Sequence, residues 1–429
     1  MSQSPHPLPT PISAARLDLK GLIRPGDVVV VGQGTGEPTA LTEALVAQSG
    51  DIGPVTVFLG TLFSRTFAPD AAPNLRFTGY GAIQQAGALA RAGRLDPVTT
   101  HYSQLPELFA SGRQRADVVM LQLSPGPEGR RPSLGMITDY LVAACRRARV
   151  VIAQMNARAP WTHGGELPGD VRVDVLVADD REPVILPGAK VGPAEEAIAR
   201  HVAGLIPDGA VIEIGIGAMP DAILSALRGH RDLGFHSGMI SDRTVDLIEA
   251  GVITNALKPC DTGVSIAGCL FGGRRLFDFA HDNPLLQMRP PEYTHGFAVL
   301  ARLPKFTALN SAVEVDLTGQ VNAEVAGGVY VGAIGGQVDF VRGAMASDGG
   351  RSIIALPSTA RGGAVSRIVP QLSGPVTTAR GDADTFVTEF GVAELRGQSL
   401  AERARRMIAI AHPDMREQLM EAARPLLRD

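Results

Sequence analysis

Hydrophobic residues along the chain fall into short runs that are separated by longer stretches with a helical period. The first run, Asp27–Val31, is rich in valine and ends at Gly32-Gln-Gly34, and Pro38–Gln48 behind it carries Leu41 and Leu45 on one helical face. Strands that alternate with helices are typical of a mostly parallel sheet covered on both faces, so the pattern predicts an α/β fold. Further strand patterns in the first half lie at Val55–Leu59, Phe77–Tyr80, Ala116–Leu123 and Val150–Ala153.

A polar, Pro- and Gly-rich stretch without a sustained period, Asp179–Pro193, interrupts this alternation and is interpreted as a linker. A chain of 429 residues is also too long for one ordinary core. We therefore predict three parts: a flexible N-terminal tail (1–15), an N-terminal α/β domain (16–185) and a C-terminal α/β domain (186–429).

The second half of the chain opens as the first does. Leu22 to Leu45, with its Gly-x-Gly turn, matches Leu205 to Leu227, which holds Gly215-Ile-Gly217. The match indicates either an internal duplication or a chance similarity between two strand–turn–helix units. Further strands are predicted downstream at Gly263–Leu270, Ala298–Leu300, Ala308–Leu317, Ser352–Leu356 and Thr385–Thr388, and helices at Leu400–Ile410 and Met415–Leu426.

Composition excludes several classes of protein. The chain is 45% hydrophobic and 20% charged with a formal net charge of −4, which is typical of a soluble globular protein and gives no reason to expect a nucleic-acid or membrane partner. No run of about 18 apolar residues and no signal-peptide pattern is present. Three scattered cysteines fit a reducing cytoplasm. No two histidines have the His-x-x-x-His spacing of a zinc site. We expect a cytoplasmic protein without a metal.

Two glycine-rich segments stand at predicted strand ends. Gly215 and Gly217 do not complete a dinucleotide fingerprint because Pro220 holds the third glycine position, so they indicate either a tight turn or a close backbone approach to a ligand. The segment Gly332-Ala-Ile-Gly335-Gly336-Gln337 is either a turn between strands or a set of backbone N–H groups that could hold an oxyanion.

Acid–base groups are present but are not arranged in a recognisable motif. His236 and His295 are candidates for an acid or a base, although a single histidine can equally be structural. Burial would raise the pKa of carboxyl groups in apolar or Gly-rich surroundings and make them candidate bases or nucleophiles. Such carboxylates are Glu213, Glu314, Glu324 and Glu389. The residues alone thus predict a two-domain α/β protein suited to an acyl or phosphate-bearing ligand.

A set of longer motifs is more specific. It comprises Gly215-Ile-Gly217-Ala-Met-Pro220-Asp-Ala222, His236-Ser237, Ser241-Asp242, Asn310-Ser-Ala, Val315-Asp-Leu-Thr-Gly-Gln320, Gly335-Gly-Gln-Val-Asp-Phe-Val-Arg-Gly343 and Val387-Thr-Glu-Phe-Gly391. Together these motifs resemble the acetyl-CoA hydrolase/transferase family, of the class I CoA-transferase type. The resemblance is dense after Ile206 and thinner before Ala116.

The resemblance implies two tandem open α/β domains of the CoA-transferase type, with the active site between them. It implies an acyl-CoA substrate, a carboxylate acceptor and a homodimer. It also implies ping-pong transfer, in which a glutamate in a His-Ser/Thr-Glu-Met segment attacks the thioester carbonyl and becomes a glutamyl-CoA thioester. The residues expected to bind the acyl-CoA are Gly215, Gly217, Gly332, Gly335, Gly336 and Gln337.

One position departs from the family pattern. The segment reads His236-Ser237-Gly238-Met239, so glycine occupies the position of the nucleophilic glutamate and no covalent intermediate can form there. We expect the missing carboxylate to leave open space for a water or a second substrate, with His236 or Glu389 as the catalytic group. The sequence thus predicts thioester hydrolysis or direct acyl transfer. The alternatives are a carboxylate CoA-transferase that uses another glutamate, and an inactive CoA-binding protein or subunit.

Overall fold

The computed structural model describes residues 5–186 and 188–427. Two compact units divide the chain. The first consists of the described residues of Met1–Pro187 together with Ile266–Thr294, and the second of Gly188–Ser265 together with the described residues of His295–Asp429. The second unit is therefore discontinuous in sequence, because Ile266–Thr294 groups with the first.

The helices of the described residues are mostly short. In chain order the α-helices are α1 (Thr39–Ile52), α2 (Ala86–Arg91), α3 (Leu105–Ala110), α4 (Leu141–Arg147), α5 (Pro193–Ala203), α6 (Ala218–Ala226), α7 (Asp242–Glu249), α8 (Arg274–Ala280), α9 (Pro291–Thr294), α10 (Phe297–Leu300), α11 (Gln337–Ala346), α12 (Leu400–Ala409) and α13 (Arg416–Ala423). Turns of 3-10 helix lie at Ala14–Arg16, Gly34–Gly36, Tyr102–Gln104, Leu227–Gly229 and Pro413–Met415. None of these helices is long and apolar enough to cross a membrane, within the residues described.

A parallel sheet of eight strands forms the centre of the first unit. Its strands are β1 (Ile12–Ser13), β2 (Val28–Val31), β3 (Val55–Leu59), β4 (Leu75–Gly79), β5 (Leu95–Pro97), β6 (Val118–Leu123), β7 (Val150–Met155) and β8 (Val175–Ala178). They lie in the order β1-β8-β7-β6-β2-β3-β4-β5, with every neighbouring pair parallel. Leu41 and Leu45 of α1 pack on Val29 and Val31 of β2 in one core, which confirms the helical face predicted from the sequence.

The N-terminal segment corrects one prediction. Of the predicted flexible tail, residues 1–4 lie outside the described residues, but Ile12 and Ser13 form an edge strand whose register pairs them with Val177 and Ala178 of β8. The tail prediction is wrong for these two residues because their backbone groups bond to the sheet edge, which a short Pro-rich sequence does not reveal.

The second unit is built on a six-stranded sheet. Its strands are β9 (Val211–Ile214), β10 (Gly234–Phe235), β11 (Thr307–Asn310), β12 (Arg351–Ala355), β13 (Thr385–Thr388) and β14 (Gly391–Glu394), in the order β10-β9-β11-β12-β13-β14. All neighbours are parallel except β13 and β14, which form an antiparallel hairpin at the edge. Phe306, directly before β11, and Ala308 within it pack against Leu300 and Phe340.

Short strands outside the two large sheets complete the fold. They are Met239–Ile240, Ser265–Ala267, Cys269–Leu270, Leu286–Met288, Glu314–Asp316, Val321–Asn322, Val325–Ala326, Val329–Tyr330, Thr359–Ala360, Val365–Ser366 and Ile368–Val369. The strand predicted at Ala298–Leu300 is wrong, because these residues form α10. There Leu300 N–H donates to the Gly296 carbonyl, and a run of three apolar residues is too short to show a period.

Strand order places a crevice at the same point in each unit. In the first sheet β3 lies on one side of β2 and β6 on the other; in the second, β10 lies on one side of β9 and β11 on the other. The connections therefore leave the carboxyl ends of β9 and β11 in opposite directions. A crevice opens at such a switch point, where ligands of open parallel sheets bind. The shared arrangement agrees with the repeat seen in the sequence.

Candidate functional site

A cavity of about 260 Å³ lies at the switch point of the second sheet. Its wall includes Ile214 at the end of β9 with the six residues that follow it, Asn310 and Ser311 at the end of β11, and Ala355 at the end of β12. Two predicted ligand-binding glycines, Gly215 and Gly217, therefore line a cavity at the place where the topology favours a ligand.

The two glycines serve different purposes in this wall. Gly217 precedes α6 with a φ of 116°, a backbone conformation that residues with a side chain rarely adopt. Gly215 needs no such conformation, and a Cβ added there would meet no atom within 4 Å. The first turn of α6 lies in the cavity wall, so the N–H groups of Ala218 and Met219 and the positive end of the helix dipole are candidates to bind an oxyanion. Pro220 has no N–H, and the N–H of Asp221 donates to the Gly217 carbonyl.

A buried carboxyl group supports the wall from behind. Oε2 of Glu213 accepts hydrogen bonds from the backbone N–H of Leu309 (3.2 Å) and from Nδ2 of Asn310 (3.0 Å). Burial raises the pKa of Glu213 to about 8, although these two hydrogen bonds act in the opposite direction. The carboxyl group is thus protonated at neutral pH, and it fixes the Asn310 amide at the cavity.

Hydrogen bonds attach two further segments to the cavity wall. Oγ of Ser237 donates to the carbonyl of Ile214 at 3.1 Å, and Nε2 of Gln337 donates to the carbonyl of Ser311 at 3.1 Å. Among the described residues, Oε1 of the 7% exposed Gln337 has no hydrogen-bond partner. The segment around Gly238 and the Gly335-Gly336-Gln337 turn are thus tied to residues of the wall, and one buried acceptor remains unused.

The ring of His295 lies between these two segments. A Cβ built on Gly238 would stand 2.8 Å from its Cε1 and 3.0 Å from its Nε2, and a Cβ built on Gly336 would stand 2.5 Å from its Cδ2. The phenyl ring of Phe340 covers it at a centroid distance of 4.4 Å. Real Cβ atoms do not approach other atoms that closely, so with the imidazole in this place only glycine fits at positions 238 and 336.

This arrangement corrects the expectation of an open space at Gly238. The imidazole of His295 fills the volume next to the missing nucleophile, and the side chain is only 5% exposed. Burial, with the neighbouring His236 as a smaller cause, lowers the pKa of His295 to about 3. A neutral imidazole therefore stands where the family pattern would begin a carboxylate side chain.

The remaining predicted residues lie in different surroundings. His236 follows β10 and is fully buried. Glu389 follows β13, where its carboxylate accepts from the N–H (2.8 Å) and the hydroxyl (2.6 Å) of Ser358. Four strand spacings of about 4.8 Å separate β10 from β13, or roughly 19 Å. The structure therefore brings Gly238, Gly336 and Gln337 together and holds Glu389 at a separate part of the sheet edge.

Gly332 and Gly335 differ from Gly336. A Cβ on Gly332 would collide with the backbone carbonyl of Ala323, so close packing of two chain segments accounts for this glycine. Gly335 has a φ of 54°, and a Cβ there would meet only Ala333 at 4.0 Å. The role of both residues in acyl-CoA binding stays a prediction.

Sequence reasoning named His295 but did not place it in the site. The signal that could have found it is a pair of glycines, Gly238 and Gly336, in two separate motifs of the same resemblance. Each glycine leaves the volume of a side chain vacant, and only the fold shows that the ring of His295 fills both volumes. No group of three or more His, Cys, Asp or Glu side chains within residues 5–186 and 188–427 is arranged to hold a metal ion.

Comparison with known proteins gives the family. The model of the acetyl-CoA hydrolase/transferase N-terminal domain matches residues 14–187, and the model of the C-terminal domain of that family matches residues 272–423. The chain belongs to the acetyl-CoA hydrolase/transferase family. The resemblance to this family that the sequence motifs indicated is thus confirmed.

Relatives in this family extend over nearly the whole chain. The chain is 38% identical over 400 residues to 4-hydroxybutyrate coenzyme A transferase of Clostridium kluyveri, which covers 91% of this chain and 92% of that protein. The structure of RipA from Yersinia pestis superposes with a TM-score of 0.88 at 34% identity and covers 94% of this chain and 95% of that one. A 4-hydroxybutyrate CoA-transferase from Porphyromonas gingivalis gives a TM-score of 0.81 at 34% identity and covers 96% and 97%. The predicted α/β fold of the CoA-transferase type is confirmed.

The acetyl-CoA hydrolase/transferase family includes both kinds of reaction that its name gives. A fungal acetyl-CoA hydrolase, from Kluyveromyces lactis, is 30% identical over 258 residues and covers 57% of this chain and 48% of that protein. Membership therefore establishes an enzyme family that acts on CoA thioesters and leaves the choice between hydrolysis and transfer to the site.

Proposed function

We propose that the protein hydrolyses the thioester bond of an acyl-CoA, or passes the acyl group directly to an acceptor, without a covalent glutamyl intermediate. The observation that carries this proposal is the pair formed by Gly238 and His295. The family's nucleophilic position has no carboxylate, and a neutral imidazole fills the adjoining volume. An imidazole can activate a water, whereas a glycine cannot form an acyl anhydride.

The cavity whose wall residue Ile214 accepts a hydrogen bond from Ser237, the neighbour of Gly238, suits the reacting end of an acyl-CoA. Its volume of about 260 Å³ is below the roughly 300–1,000 Å³ of pockets that bury a whole drug-sized ligand. We therefore assign it to the acyl and thioester groups of the substrate. Gly215 and Gly217 leave the backbone accessible there, and the N–H groups of Ala218 and Met219 at the start of α6 would stabilise the oxyanion of the tetrahedral intermediate.

Thiol release from a panel of acyl-CoAs tests the proposal. We expect free CoA from at least one short acyl-CoA without any added carboxylate, and one ¹⁸O atom in the product acid when the reaction runs in ¹⁸O-water. Addition of a carboxylate tests for CoA transfer, because that reaction would yield a new acyl-CoA and the free acid, whereas direct acyl transfer to another acceptor would release free CoA together with an acylated acceptor. If no acyl-CoA in the panel releases thiol and none exchanges its acyl group, the proposal is wrong.

A carboxylate CoA-transferase that uses another glutamate is the second candidate. It is favoured by the similarity of this chain to CoA-transferases of Clostridium kluyveri and Geobacter metallireducens, and Glu389 lies on the same sheet edge as the cavity. It predicts a glutamyl-CoA thioester. Borohydride reduction during turnover, followed by peptide mapping, would then modify a single glutamate, whereas an unmodified chain after turnover would eliminate this candidate.

The wider setting of the enzyme completes the proposal. We propose a cytoplasmic homodimer that takes an acyl-CoA and, in the transfer reaction, a carboxylate, and whose chain folds as domains at 16–185 and 186–429. The scattered reduced cysteines and the family resemblance support this setting. An inactive CoA-binding protein would bind CoA in a calorimeter without turnover, and the thiol assay distinguishes it directly.

A further inference from the structure

We propose that the acyl group of the substrate is an uncharged aliphatic chain of about four to six carbons. It lies against the buried apolar part of the cavity at the switch point, while the thioester stands at the polar opening. The inference rests on the proposed function and names the substrate class of that same site. The distribution of polar and apolar residues over the cavity wall carries it.

One part of the wall, which we call the floor, is apolar and buried. It consists of five residues that are at most 9% exposed: Ile214, Met219, Ile223, Leu309 and Ala355. Within the part of the chain that the structure describes, no charged side chain lines the cavity. Burial of an isolated carboxylate in such surroundings is strongly unfavourable, whereas burial of each methylene group is favourable. The floor therefore accepts a hydrocarbon chain and disfavours the second carboxylate of a dicarboxylic acyl group.

The rest of the wall, which we call the mouth, is more exposed and carries hydrogen-bonding groups. It consists of residues 215–218, Pro220, Asn310 and Ser311. The Asn310 amide is held there by the buried carboxyl group of Glu213, whose raised pKa keeps it neutral at neutral pH. The thioester oxygen and the amide groups of the CoA arm need polar partners, and a hydrocarbon chain does not. The polarity of the wall thus orients an acyl-CoA with its acyl chain on the floor.

The volume of the cavity limits the length of this chain. A group of the size of a water molecule takes up about 30 Å³, so a cavity of about 260 Å³ holds roughly nine such groups. The sulfur, the carbonyl oxygen and the attacking nucleophile account for three of them, which leaves room for about six carbons, the carbonyl carbon included. An acetyl group would leave most of the floor without contacts. The best fit is therefore a chain that is longer than acetyl and that ends at the floor.

A series of acyl-CoAs tests the chain itself. We expect kcat/KM for thioester consumption to rise about fourfold with each methylene group beyond acetyl-CoA and to fall beyond about six carbons, where the chain overfills the cavity. Isovaleryl-CoA and malonyl-CoA form a matched pair of similar shape, in which a carboxylate replaces two methyl groups. We expect the neutral member to be preferred by at least about 100-fold. A preference for malonyl-CoA, or values of kcat/KM within about tenfold of each other, would overturn the inference.

Two valine variants test where the chain lies. Ile223→Val removes one methyl group from the floor, so we expect the preferred chain to become longer by about one carbon. Ile253→Val is the matched control, because Ile253 is equally buried, at 2% exposed, and lies outside the cavity wall. We expect this control to keep the chain-length profile of the natural protein. An unchanged profile for Ile223→Val, or the same shift in both variants, would overturn the inference.

The series of acyl-CoAs also separates this inference from the proposed function. If no acyl-CoA releases thiol or exchanges its acyl group, the proposed function is wrong and the inference fails with it. If acyl-CoAs turn over but malonyl-CoA is preferred to isovaleryl-CoA, the proposed function stands and the inference alone is wrong.

Discussion

Substitution of Gly238 by alanine places a methyl carbon against the imidazole of His295. That carbon would stand 2.8 Å from Cε1 and 3.0 Å from Nε2, whereas carbon atoms in contact prefer roughly 3.5–4.0 Å. The ring would have to move by at least half an ångström. The ring already lies against the backbone of Gly336, since its Cδ2 is only 2.5 Å from the position that a Cβ would take there, and Phe340 covers a further side.

The expected cost follows from this geometry. Overpacking of a filled core costs about 1–3 kcal/mol, and the lower chain entropy of alanine in the unfolded state returns about 0.4–1 kcal/mol. We therefore expect Gly238→Ala to lower the free energy of unfolding by roughly 1–2 kcal/mol. His295→Ala removes a buried ring and should cost about 2–5 kcal/mol. In the double variant no collision remains, so the two losses should not add, and the coupling energy should be about 1–3 kcal/mol.

The assay is a double-mutant cycle on stability. The only tryptophan, Trp161, lies in the first unit, so its fluorescence is a poor probe of this site. Urea unfolding followed by far-UV circular dichroism, with hydrogen exchange of peptides that contain Gly238 and His295, reports on the second unit. Gly229→Ala, at an exposed glycine with no atom within 4 Å of an added Cβ, is the matched control. Additivity of Gly238→Ala and His295→Ala to within about 0.5 kcal/mol would refute the reasoning.

Three further predictions concern single residues of the second unit. Glu213→Gln should remove a pH dependence of the free energy of unfolding. Burial raises the pKa of Glu213 to about 8 from an ordinary 4.5. The contribution of Glu213 to stability is therefore full below pH 4.5 and is lost as the pH rises through 8, a change worth at most roughly 5 kcal/mol. Urea unfolding between pH 5 and 9 should show a flatter stability curve for the variant, and an unchanged slope would contradict the assignment. Gly217→Ala forces a side chain into a φ of 116° and should cost about 1–3 kcal/mol and weaken acyl-CoA binding; calorimetry that finds unchanged affinity would show that this wall does not bind the substrate. Ser399→Ala removes the side chain that accepts from the Glu402 N–H at the start of α12, so a melting experiment should show a loss of about 1 kcal/mol without any change in turnover, whereas Ser399→Asp should retain the cap and the stability.

Periodicity predicts the large elements of this fold well. The valine run before Gly32 and the leucines on one face of α1 are strong signals, because both are patterns of apolar residues that can be read directly from the sequence. The predictions for Ile12–Ser13 and Ala298–Leu300 were wrong because a segment of two or three residues is too short to show a period. The structure of Ile12–Ser13 is decided by the partner strand β8, and that of Ala298–Leu300 by the hydrogen bond from the Leu300 N–H to the Gly296 carbonyl.

The candidate site was only partly predictable. Gly215 and Gly217 line the cavity as the pattern suggested, because a glycine turn after a buried strand depends on neighbouring residues in the sequence. The relation of His295 to Gly238 could not be read from the chain, because it depends on a contact between residues far apart in sequence. A glycine in a motif shows that a side chain is missing but not what takes its place.

The discontinuity of the second unit affects how the protein can be divided. Any contiguous fragment that contains both Gly238 and His295 also contains Ile266–Thr294, whose buried residues Ile266 and Phe277 belong to the other unit and would be exposed in the fragment. A minimal second unit would have to join Ser265 to His295 by an artificial loop. That loop would be bonded directly to the residue that carries the imidazole, so its length would act as a control on where the ring lies.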